Sequence, residues 1–157
     1  MPRATALAVA AMAAFWPAAD AQASPLDRYA RNARLFLVFA DRADDAGLTA
    51  QKADIAANID GYEDRDLIVF IFSRGRLAST EPPQEVDLDG DALRARLSLP
   101  SNGFAAALIG LDAGVKLRSA EPIDACALFR EIDGMPMRRR DIQSKGYAVP
   151  CRPVAGR

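Results

Sequence analysis

Apolar runs of strand length recur along this chain, separated by charged or glycine-rich stretches. Leu35 to Ala40 reads LFLVFA with charge on either side. It is too short for a core helix and predicts a strand buried on both faces. Leu48 to about Asn58 follows a helical period, with Thr49 as a candidate N-cap and Leu48, Ile55 and Ile59 near one face. Asp60-Gly61 would end it. A second wholly apolar run, LIVFIF, lies within Asp66 to Ser73. Strand, helix and strand in this order predict a parallel βαβ unit.

Arg74-Gly75-Arg76 reads as a turn and Ser79 to Gln84 as a loop. Asp89 or Asp91 can cap a short helix through Leu97. The organising stretch is Phe104 to Arg118, FAAALIGLDAGVKLR. It predicts a hairpin whose three-residue turn, Asp112-Ala113-Gly114, offers glycine for a left-handed position. The return strand alternates, which would set Val115 and Leu117 on one face and Lys116 and Arg118 on the other. A last helix opens at Pro122, runs to about Ile132, and is ended by Gly134 and Pro136. The fold class expected is α/β: a thioredoxin-like three-layer sandwich with a four-stranded mixed sheet, in the order β-α-β-α-β-β-α.

The 157 residues suit one domain, and 50% hydrophobic residues with 26% charged are ordinary for a globular chain. A net charge of −1 gives no general attraction to nucleic acid or to an anionic membrane. Residues 1–23 have the form of a secretory signal: Arg3, an alanine-rich apolar run from Ala6 to Phe15, then Ala19-Asp20-Ala21 and Ala21-Gln22-Ala23 as small-x-small sites. That run is shorter than the roughly 20 residues a membrane span needs. The expected division is a leader at 1–23, a domain at 24–143 and a tail at 144–157. The mature chain would then be exported, periplasmic or extracellular, with no membrane segment after signal removal.

Two cysteines remain, Cys126 and Cys151. An even count in an oxidising compartment favours a disulfide, worth about 3 kcal/mol for a loop of this length. The alternative is one buried thiol and one loose thiol in the tail.

LDRYARNARLFLVFA, QKADI, DRDLIVF, GFAAALIGLDAGVKLR and IDGMPMRRRDI together resemble the DUDES domain family. Members are secreted bacterial proteins and animal extracellular-matrix proteins of the sushi-repeat and Equarin kind. The resemblance spans Leu26 to about Ile142. It implies a thioredoxin-like fold, with no established activity and a suggested peroxiredoxin-like or redox ancestry. Tyr29 stands where the family pattern has Trp, and Cys126 and Cys151 lie outside its motif.

Thioredoxin-like oxidoreductases carry a reactive Cys just after the first strand, at a helix N-terminus that stabilises thiolate. Asp41-Arg42-Ala43-Asp44-Asp45 occupies that place here, and Asn102-Gly103 occupies the place of the cis-proline. There is no histidine, which removes His-based acid–base chemistry, Ser-His-Asp triads and His metal ligands. Asp87-Leu88-Asp89-Gly90-Asp91 is an incomplete calcium loop, with Ser98 where Glu belongs. It reads rather as a solvated acidic helix cap. The candidate binding residues are therefore cationic: Lys116 and Arg118 on the hairpin, with Arg138 and Arg139 after the last helix. They could converge on an anionic ligand or partner. Alternatively, Arg138 to Arg140 simply complement a helix end in water. The function expected is a non-enzymatic, cofactor-free binding module for an unknown protein or anionic ligand. The alternative is a thiol redox protein using Cys126 and Cys151.

Overall fold

Strand β1 (Arg34–Ala40) is buried at all seven positions and lies at the centre of the sheet. The computed structural model describes residues 25–153 apart from residue 30. The expected leader lies outside the described residues. After β1 come α1 (Ala46–Ala57), α2 (Ile59–Glu63), β2 (Leu67–Ser73), β3 (Arg76–Glu81) and α3 (Gly90–Arg96). The chain continues through β4 (Ala105–Ile109), β5 (Val115–Ser119), α4 (Ala125–Asp133) and α5 (Pro136–Lys145). A 3₁₀ turn, Pro25–Tyr29, precedes β1.

The result is one five-stranded mixed sheet in the order β3-β2-β1-β4-β5. β1 pairs parallel with β2 and antiparallel with β4, and both outer pairs are antiparallel. Because side chains alternate along a strand, β1 feeds two cores. Phe36 and Val38 pack with Leu48, Ile55, Tyr62, Leu128 and Ile132 of α1, α2 and α4. Leu35, Leu37 and Phe39 pack on the other face with Leu93 and Leu97 at α3, and with Leu26. A strand apolar at every position after Arg34 is what two covered faces require.

Four departures from the sequence reading matter. The sheet has a fifth strand: β3 returns from β2 through a two-residue turn in which Arg74 (φ 53°) and Gly75 (φ 71°) are both left-handed. Pro136 does not end a helix but opens α5 at its first position, where its missing N–H costs nothing. Asp124 rather than Pro122 starts α4, accepting from the Cys126 and Ala127 amides. Asp45, not Thr49, caps α1 through the Leu48 amide.

The hairpin turn forms as expected, but Ala113 (φ 60°) takes the left-handed position instead of Gly114. A bulge at Lys116 then pairs Ile109 with Val115 and Leu108 with Leu117. One extra residue reverses the alternation. Val115 therefore joins the α3-side core and Leu117 the α4-side core.

Gly61 in α2 lies under Phe129, where an added Cβ would come within 2.4 Å of the ring. Phe129 is held in place by the Arg65 guanidinium, 4.0 Å above it, and by Tyr62 at 5.2 Å. Gly61→Ala gains helix propensity but overpacks this site. The net result is expected to be a loss of about 1–2 kcal/mol in urea unfolding.

Candidate functional site

A polar tie joins the loop after β1 to the loop before β4. Asp41 Oδ2 accepts the Gly103 amide at 2.6 Å, and its other oxygen lies 3.5 Å from Arg94. Arg94 is buried, donates to the carbonyls of Pro100 and Gly103, and lies over Phe39 at 5.5 Å. Asp45 is engaged as the α1 cap. Asp41 thus holds the loop after β1 to the loop before β4, while Asp44 pairs with Arg42. Asp89, in the calcium-like stretch, caps α3 through the Asp91 and Ala92 amides. Among the described residues no acidic, Cys or His cluster is arranged to hold a metal.

The four candidate cations do not form one patch. The bulge places Lys116 on the α5 side of the hairpin, where it pairs with Asp112 at 2.6 Å. That contact holds the Asp112 carboxyl below its ordinary range. Arg118 points to the other face and donates to the Leu97 carbonyl. Arg139 is exposed on α5. Arg138 is 1% exposed, and it is turned inward.

Arg138 belongs to a charge network that closes the fold. Its guanidinium binds Asp64, Asp133 and Asp141, and it donates to the Asp64 carbonyl. Arg65, equally buried, forks onto Asp133 at 3.0 and 2.6 Å and also donates to Gly61 and Val149 carbonyls. Lys145 completes the set, 3.4 Å from Asp141. Burial works against the Asp64 charge, but the Val149 amide and Arg138 outweigh it and hold its carboxyl low. This carboxylate supports the fold above its ordinary pKa and loses that contribution as acid protonates it. The network also holds the tail. Asn58 exchanges hydrogen bonds with both backbone groups of Arg152, and Cys151 is disulfide-bonded to Cys126 in the first turn of α4. The tail, read from sequence as extended and loose unless Cys151 tied it, is therefore tied at three places.

A groove of about 170 Å³ opens between the hairpin and the start of α5, lined by Arg34, Leu111, Asp112, Lys116 and residues 135–137. Arg34 did not stand out in the sequence. It is 3% exposed and its Nη1 donates to the Arg65 carbonyl at 2.6 Å, while its Nε has no hydrogen-bond partner. Burial pushes its pKa down, against the nearby Asp66. The only sequence signal was its place: an arginine as the first residue of an otherwise wholly apolar strand.

The architecture is that of a mixed α/β domain with both sheet faces covered, a disulfide-held tail and no thiol after the first strand. The chain belongs to the family described as "Domain of unknown function (DUF4174)", which matches residues 25–141. No curated protein and no solved structure matches it. Among the described residues no helix is long and apolar enough to cross a membrane.

Proposed function

We propose that this protein is an exported, non-enzymatic binding module of thioredoxin-like, DUDES-type architecture, acting on an anionic ligand or partner in the periplasm or outside the cell. The observation that carries this is the fate of the chemistry. On this reading Asp41 stands in the nucleophile's place and is engaged by the Gly103 amide and Arg94, and both sulfurs are joined elsewhere, on α4 and the tail. The strand order supports the fold assignment: the parallel β1–β2 pair and the antiparallel β4–β5 hairpin are those the sequence pattern predicts. A disulfide that holds the tail suits an oxidising compartment. Of the candidate cations, the exposed Lys116, Arg118 and Arg139 would supply contacts to an anionic partner, and the buried Arg138 would not.

Peroxide-consumption and disulfide-reduction assays test this reading. The parent protein is expected to show no turnover above that of Cys126→Ser. Turnover in the parent that vanishes in Cys126→Ser would establish the redox alternative, with Cys126 and Cys151 as its working pair.

A further inference from the structure

We propose that the tail is an exchangeable latch: the surface that holds it in its own chain also takes the tail of a second copy, and Cys126 of one copy then bonds to Cys151 of the other. This goes beyond the anion-binding reading and does not depend on it. The observation is how the tail is held. Val149 donates its amide to Asp64, and its carbonyl accepts from Arg65. Further along, Asn58 accepts the Arg152 amide at 2.6 Å and donates to the Arg152 carbonyl at 3.1 Å. Both clamps grip main-chain groups, as a peptide-binding site does. Between them in sequence, Cys151 packs against the core and carries the bridge.

The charges match as well. Lys145 Nζ lies 3.8 Å from Asp64, and Arg152 lies 3.6 Å from Asp60. Acidic groups thus receive a segment that is basic at both ends. The tail of a second copy carries the same groups at the same spacing.

The tail can leave without opening either core. Tyr147, Pro150 and Arg152 are exposed, and Ala148, Val149 and Cys151 are only half-buried. The chain leaves α5 at Gly146, which has φ 79° and where a Cβ would meet nothing within 4 Å. From there to Val149 it reaches about 10 Å. Exchange therefore brings the C-terminal ends of α5 from two copies together. It is a low-cost route to a dimer, because the contacts are those already made within one chain.

The covalent step needs one copy with free thiols. Cys126 lies in the first turn of α4, where the helix amide end favours a thiolate. That thiolate attacks Cys151 Sγ of a bridged copy. The intermolecular S–S bond forms as the internal one breaks, and the electron pair leaves on Cys126 of the bridged copy as thiolate. One disulfide is lost and one gained, so no oxidant or reductant is consumed.

Two full-length variants make the exchange visible. Cys126→Ser offers a tail with a free Cys151, and Cys151→Ser offers a docking surface with a free Cys126, so neither can bridge itself. They are mixed in equal amounts in a buffer of glutathione and glutathione disulfide, and the linked dimers are resolved by mass. The mixed dimer should exceed its statistical share relative to the homodimers about tenfold, the scale of one or two docking hydrogen bonds. Arg152→Pro in the tail donor removes the amide that Asn58 accepts and cannot disturb the fold of the docking copy. It should return the yield towards the statistical ratio. Asn58→Ala should do the same in the docking copy and have no effect in the tail donor. A statistical mixture from the parent pair, or an excess indifferent to Arg152→Pro, would overturn the exchange and leave the binding-module reading standing.

Discussion

Arg65→Met is expected to be the most damaging single substitution outside the apolar core. The guanidinium makes five hydrogen bonds: two to Asp133, two to the Val149 carbonyl and one to the Gly61 carbonyl. It is 2% exposed, and its flat face rests on Phe129. Methionine fills much of the volume but leaves Asp133 with Arg138 as its one remaining guanidinium partner and strips the Gly61 and Val149 carbonyls of the Arg65 donors. Removing one partner of a buried ion pair typically costs about 3–5 kcal/mol, because the other charge stays desolvated. For a domain of this size that lowers the melting temperature by about 10 °C or more. Arg139→Met on exposed α5 is the control, with a change within about 0.5 kcal/mol. A loss below about 1 kcal/mol for Arg65→Met would mean that water enters freely and the network is worth no more than a surface pair.

The second large effect is expected from Cys126→Ser. The bridge closes a separation of 25 residues, for which chain-entropy reasoning gives about 3 kcal/mol. Its loss should be read locally as well as globally. The Arg152 amide donates to Asn58 and the Val149 amide to Asp64, so both are protected only while the tail stays docked. Hydrogen exchange at these two amides should therefore accelerate more than in β1. Uniform acceleration would mean the bridge stabilises the whole fold through the unfolded chain alone. The two predictions are coupled, because Arg65 and Cys151 hold the same segment. The double variant should lose less than the sum of the singles.

Four strands were legible because each is an apolar run or alternates within a hairpin. β3 was not: RLASTE is an edge strand with only Leu77 and Thr80 half-buried, so burial imposed no pattern on it. Its one signal was the turn, where Gly75 followed Arg rather than the more usual Asn or Asp. α2, with five residues, is shorter than any periodicity can reveal. α5 was hidden by reading Pro136 as a stop when it is equally a start, and by a polar sequence with no apolar stripe. The charge network was out of reach for a different reason. Arg65 and Asp133 are 68 residues apart, and Asp64 and Arg138 are 74 apart. A run of arginines reads as solvated until tertiary structure turns one of the three inward. The bulge at Lys116 was likewise invisible, yet it decides which face each hairpin cation serves.

The position of β1 also bears on how the polypeptide matures. Its parallel neighbour β2 follows within a few dozen residues, but its other neighbour, β4, belongs to the later half of the chain. While the protein emerges from its N-terminal end, β1 and β2 can zip together long before β4 exists. One flank of a largely apolar ribbon is then bare, with its peptide groups unclaimed, a state prone to sticking to other chains. A holdase chaperone that shields that flank until the hairpin arrives would serve this nascent chain better than one that merely delays collapse.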